Sequence, residues 1–371
     1  MQLERPPTHG PRLAVFGLAS LLSLNALAAG TPTVHFYNWS DFLAPETPKA
    51  FQQATGTTLV QDAFDNAEVM ESKLMAGHSG YDVVMVPDDL LPNFIKAGVL
   101  KPLDPEQLAN RSHLDEQILR KLSVNDPGNR YAVPYMWGTT GIGYDKAKVT
   151  KLLGKDAPVD SWDLVLRKEN IEKLSACGVA MLDAPVEILP IALHYLGLPP
   201  NSRNPDDYRK AEALLQGIRP YVRYFDSSKF TTDLANGDIC VVVGWGGSVY
   251  SAKQAAERAS NGVQVTYSIP REGAPMWINN MVLVNDAPHP EQGHAFINYM
   301  MRPEVIAKSS DYVGYPNGNK DALPLVEPRL LQDPAVYPPV EVMGTLFTLE
   351  TLPLKYERLR TRTWSKIKNG T

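Results

Sequence analysis

Between Thr33 and Leu100 the chain alternates between two hydrophobic periodicities, and that alternation restricts the fold more than any other feature. "TVHFYNW" is a short β run, and "PETPKAFQQATG" is a helix opened by proline and closed by Gly56. "TTLVQDAF" is a second strand, "NAEVMESKLMAG" a second helix, and "YDVVMVP" a third strand of the continuously apolar kind. "LLPNFIKAGVL" then supplies another helix. Strand–helix–strand order with short connections predicts an α/β fold whose mostly parallel sheets are covered on both faces. Ligands of such sheets sit beyond the carboxyl ends of the strands. Trp39, Ser40, Asp41 and Phe42 occupy that place after the first strand, and Asp88 and Asp89 after the third.

The middle of the chain changes character. "YAVPYMWGTTGIGYD" reads as a strand pair rich in glycine and aromatics, with a tight hairpin at "GTTGIG". "DICVVVGWGGSVY" is a further strand followed by a helix, and "GVQVTYSIPREGAPMWINNMVLV" is hairpin-like and returns toward the first part. No internal repeat is present. Two α/β lobes are expected, with 29–136 and 264–310 in the first and 137–263 and 311–371 in the second. Crossings fall near Met136–Thr140 and near Val263–Ile269.

The start has another purpose. Arg5 and Arg12 flank a polar opening, "LAVFGLASLLSLNALA" runs apolar to Ala28, and Ala26-Leu27-Ala28 has the small-x-small form of a signal-peptidase site. The expectation is a cleavable signal peptide over 1–28 and an exported, periplasmic mature chain with no lipid anchor. The run is too short and interrupted to span a bilayer. A formal net charge of −5 carries no basic footprint, which argues against a nucleic-acid partner. Cys177 and Cys240 are the two cysteines. In an oxidising compartment they either pair or remain as two buried thiols.

Catalytic motifs are missing from the sequence. It contains no HExxH, GxSxG or GxxxxGK[ST] pattern, and "GTTGIG" lacks the lysine of a phosphate loop. The seven histidines are scattered, none pairs with another at metal-ligand spacing, and His194 reads as a packed residue in an apolar helix. No cofactor is implied. What recurs is an aromatic residue beside a carboxylate or small polar group at a strand end: "NWSDF", "VPDDL", "DAPVE", "GWGGS", "PMWINN" and "DYVGYPNGN". A Trp-lined slot suits an alkylammonium, whose methylenes pack on rings while the charge lies over a π face. Carboxylates then fix the charged ends. Taken singly, each has a plainer reading: Trp245 as a core residue, Asp88 as a helix N-cap.

Across the whole mature chain the sequence resembles the periplasmic putrescine- and spermidine-binding proteins of bacterial polyamine ABC transporters. The likeness lies in "YNWSDF", "ESKLMAG", "YAVPYMWGTTGIGY", "VDSWDL", "LDAP", "RYF", "LANGDICVVVGW" and "RTRTW". It implies the two-lobed (type II) periplasmic-binding-protein fold, closing on its ligand like a hinged clamp. It also implies no enzymatic activity, and the permease subunits of an importer as partners. Carried over by position, it implies an aromatic box of Trp39, Trp245, Trp277 and Tyr315, with Phe42 where tyrosine is frequent. Ser40 and Asp41 would bind one amine, and Glu187 would lie along the ligand chain. Asp88 stands where serine is frequent. The cysteine pair matches a disulfide that some members form.

Two positions depart from that pattern. The resemblance implies aspartates that hold the distal ammonium, and here those places carry Ser248 and Asn279. An ammonium withdrawn from water without a counter-charge is costly. Asp88, with Asp89, is therefore expected to supply replacement charge. The altered pocket is expected to bind putrescine weakly and to prefer spermidine or a longer or singly charged amine. Agmatine, an ω-amino acid, an acylated polyamine, or a non-transport sensory role are the alternatives.

Overall fold

A computed structural model describes residues 1–3 and 31–370. The leader expected over 1–28 lies outside the described residues except for its first three positions.

Among the described residues the strands are β1 (Thr33–Trp39), β2 (Thr58–Phe64), β3 (Val83–Pro87), β4 (Leu100–Lys101), β5 (Ala132–Asp145), β6 (Val179–Met181), β7 (Tyr224–Phe225), β8 (Val241–Trp245), β9 (Val265–Ser268), β10 (Pro275–Val284) and β11 (Phe347–Thr348). Their path is β2-β1-β3-β10-β5-β8-β6-β7. β1 pairs in parallel with β2 and β3, and β6 pairs in parallel with β7 and β8. β10 and β5 run antiparallel to their neighbours between these two parallel cores. Helices alternate with the strands, as the periodicity predicts; the first, Thr47–Thr55, has proline in its first turn and ends at Gly56 in the left-handed region (φ 71°). The result is two α/β lobes.

β5 belongs to both lobes. Its first part, from Ala132 to Thr139, pairs with β10, and from Thr140 onward it pairs with β8. Here the structure corrects the sequence reading, because the expected strand pair is one continuous, fully buried strand of 14 residues. Its glycines serve close approach rather than a turn. A Cβ on Gly138 would collide with the Trp277 ring; one on Gly141 would lie 2.5 Å from the Ser268 carbonyl oxygen, and one on Gly143 2.6 Å from Val249. The expected hairpin at 263–285 is also absent: β9 and β10 each pair with β5, at its two ends, and not with each other. Residues 269–274 carry the chain back between them.

A strap near the C-terminus runs beside these crossings. β11 pairs with the start of β10. Lys121 Nζ donates to the Leu346 carbonyl (2.6 Å) and Asn125 to that of Leu349 (3.0 Å), while Asn201 donates to Thr348 (3.0 Å). The helix Leu354–Asn369 then packs on the helices Pro185–Tyr195 and Pro205–Ile218. Cys177 and Cys240 are joined, with Cα atoms 5.5 Å apart, tying the approaches to β6 and β8. Among the described residues no helix is long and apolar enough to cross a membrane.

Candidate ligand-binding site

The carboxyl ends of β1, β3 and β8 meet the start of the helix Pro185–Tyr195 at the junction of the lobes. Trp39 is the last residue of β1. Its indole packs on Phe64 (centroids 4.4 Å apart), and its Nε1 donates to Asn279 Oδ1 at 3.0 Å. The chain then turns sharply: Ser40 and Asp41 are exposed, and Asp41 adopts φ 53°, which a short polar side chain tolerates. Phe42 turns inward, edge-on to Tyr135 (5.6 Å) and Tyr315 (6.1 Å), and Tyr135 donates to its carbonyl.

The opposite wall comes from the second lobe. Trp245 ends β8 and precedes the helix Gly246–Ala259. Its Nε1 donates to Glu187 Oε1 at 2.8 Å, and Thr140 donates to Glu187 Oε2 through a short hydrogen bond. Glu187 lies in the first turn of its helix and is 6 % exposed. Burial pushes its carboxyl up to about 7, against the pull of these two donors, and the Asp89 charge adds to the rise. An organic cation beside it would restore the ionised form.

Trp277 and Tyr315 close the space between the walls. Their rings meet edge-on at 5.0 Å. Trp277 lies over Gly138, and Tyr315 lies where a side chain on Gly247 would be, its hydroxyl against Ser248 at the helix start. Burial pushes the Tyr315 phenol up to about 12, so it stays a neutral donor. These contacts fall into three neighbouring groups: Trp39 with Asn279, Trp245 with Glu187, and Phe42, Trp277 and Ser248 around Tyr315, on which the Glu187 charge also acts. Ser40 and Asp41 stand at the rim.

Asp88 does not join these groups as a free charge. It is 1 % exposed; Oδ1 accepts from the Ile278 N–H (2.9 Å) and Oδ2 from Asn125 (3.1 Å). Asn125 also holds the strap at Leu349, so Asp88 ties β3, β10 and the strap together. Burial pushes it up to about 7. The motif reading missed Asn125 and Thr140. Asn125 lies in no motif, and Thr140 lies inside a quoted one but gains meaning only from its contact with Glu187.

Residues 46–338 match the family of bacterial extracellular solute-binding proteins. The chain belongs to that family. It is 60 % identical over 365 residues to a putrescine/agmatine-binding protein of Pseudomonas aeruginosa PAO1, covering 97 % of this chain and 100 % of that one. It is 47 % identical to the putrescine-binding periplasmic protein PotF of Escherichia coli K12, over 96 % of both chains. Among solved structures, the spermidine/putrescine ABC transporter substrate-binding protein PotD of Streptococcus pneumoniae superposes with a TM-score of 0.81 at 26 % identity, covering 91 % of this chain and 99 % of that one. The fold is the two-lobed periplasmic-binding-protein fold expected from the sequence.

Proposed function

We propose that the mature protein is a periplasmic receptor that captures an aliphatic dication of the putrescine–agmatine type between its lobes and presents it to the permease subunits of an ABC importer, without chemical change. The observation that carries this reading is the pair of indoles held by side-chain oxygens on opposite walls, Trp39 on Asn279 and Trp245 on Glu187. Indoles fixed in this way give flat π faces to a methylene chain and its charges. Trp277, Phe42 and Tyr315 complete the aromatic box, Ser40 and Asp41 bind the ammonium at the rim, and Glu187 neutralises the inner part of the ligand. The ligands for which these relatives are named, putrescine and agmatine, agree with this class. They favour short dications over the spermidine preference read from the sequence.

In this reading the lobes divide within β5 near 136–140; β9 pairs with the second-lobe end of β5, so the return to the first lobe falls at 269–274 rather than at 263–269, and the strap at 346–353 follows the crossings. Export fits the leader and the disulfide. Calorimetry on the purified, ligand-stripped chain tests the proposal with putrescine, agmatine, spermidine, 5-aminovalerate and butylamine. Putrescine or agmatine is expected to bind most tightly, with one ligand per chain. Heat from none of these amines would refute a polyamine receptor, and tightest binding of 5-aminovalerate would replace the dication with an ω-amino acid.

A further inference from the structure

The inner part of the cleft has neutral groups at Ser248 and Asn279, and its two most buried carboxylates are already occupied. Asp88 spends both oxygens on Ile278 and Asn125, and Glu187 spends both on Thr140 and Trp245. Asn279 gives its oxygen to Trp39. Glu187 keeps its charge while it accepts from the neutral donors Thr140 and Trp245, but its hydrogen-bonding capacity toward an ammonium is reduced, so a second carboxylate near the inner end would strengthen the hold on a dication.

Asp89 is differently placed. It follows Asp88 in the turn Asp88–Leu90, at the carboxyl end of β3, where Pro87 pairs with Asn279. The turn is fixed on both sides: Asp88 is held by β10, and the Asp89 carbonyl accepts from Thr351 of the strap through a short hydrogen bond. Its side chain is half-buried, and its carboxylate accepts from its own backbone N–H and from no other residue's donor among the described residues. Glu187 faces it electrostatically from the other lobe. Arg360, Glu357 and Glu71 are the other charged groups that act on it. Arg360 is 6 % exposed and bonded to Glu357 at 2.5 Å; its charge also acts on Asp89 and favours the ionised carboxylate, without a hydrogen bond between the two.

The geometry points to Asp89 as a specificity-determining residue, the carboxylate that receives the second cationic end of the ligand and makes the site select dications over monocations. This deepens the receptor reading above and rests on it. Burial raises the Asp89 carboxyl to about 6, with Arg360 opposing the rise, whereas Glu187 and Asp88 reach about 7. The fixed backbone of Asp89 and the acceptor positions left on its carboxylate suit either an ammonium or a planar guanidinium.

The test compares putrescine with butylamine, which has the same carbon chain and one charge, by calorimetry on the full mature chain. Asp89→Asn is expected to weaken putrescine about 30-fold, the loss of one charge-assisted hydrogen bond, and to change butylamine less than about threefold. Asp89→Glu is expected to restore most of the putrescine affinity. Asp89→Ser serves as a second neutral variant, with thermal unfolding confirming that each variant is folded. Unchanged putrescine binding in the neutral variants, or equal losses for both amines, would overturn the role of Asp89 and leave the receptor reading standing. Failure of the unaltered protein to bind any amine would overturn both.

Discussion

The two walls of the cleft orient an indole by the same device but with different charge. On the first lobe Trp39 donates to the neutral carboxamide of Asn279, and on the second Trp245 donates to the carboxylate of Glu187. Both rings are held by protein acceptors rather than left to a ligand to orient, which reduces the ordering cost of binding. Only one acceptor also carries charge. The first lobe places its negative groups beside the acceptor: Asp41 at the rim, Asp88 locked inside the sheet, and Asp89 on the turn. On the proposed function, shape recognition is shared between the lobes, while charge recognition is concentrated differently in each.

If both indoles are ligand walls, Trp39→Ala and Trp245→Ala will each weaken putrescine or agmatine binding about 100-fold, as for a central buried aromatic anchor. Calorimetry on the two variants measures this directly. A large loss in one and none in the other would make one ring part of the core and break the symmetry. Glu187→Gln separates charge from orientation, because a glutamine oxygen still accepts from Trp245. A loss of about 30-fold is expected from the missing charge alone. Asn279→Asp makes the first wall resemble the second and is expected to tighten dications about tenfold. An unchanged affinity there would mean that ligand charge does not approach Asn279.

The sequence made the architecture legible where periodicity is local. Short apolar runs and the proline and glycine at helix ends located β1 to β3 and the helices between them. It misread β5 because a glycine can mark either a turn or a close approach. The atoms that demand Gly138 and Gly143 belong to Trp277 and Val249, which lie far away in sequence. For the same reason, the candidate site was legible in its aromatic members but not in the direction of its carboxylates. Asp88 and Asp89 are adjacent and chemically identical in sequence. Only the pairing of β3 with β10 turns Asp88 onto the Ile278 N–H, while the Asp89 carboxylate stays on its own backbone N–H.

The smallest expected effect is the dependence of the two walls on pH. Glu187 is pushed up to about 7 by burial, whereas an exposed glutamate ionises near 4.5. Raised carboxylates hold protons in the folded protein that the unfolded chain has already released. Their contribution to stability is therefore present below about pH 4 and lost as the pH rises through about 7. A bound cation favours the ionised form and reverses this preference, so binding should expel a proton near neutrality. With one such group, affinity should fall about threefold between pH 7.5 and 6.5. Calorimetry in two buffers of different ionisation heat measures the proton released. In Glu187→Gln the release should shrink to what Asp89 supplies, whereas Asn279→Gln, which alters the neutral wall, should leave it unchanged. Equal proton release from the unaltered protein and Glu187→Gln would mean that the ligand's charge does not reach Glu187, and would place charge recognition on the first lobe.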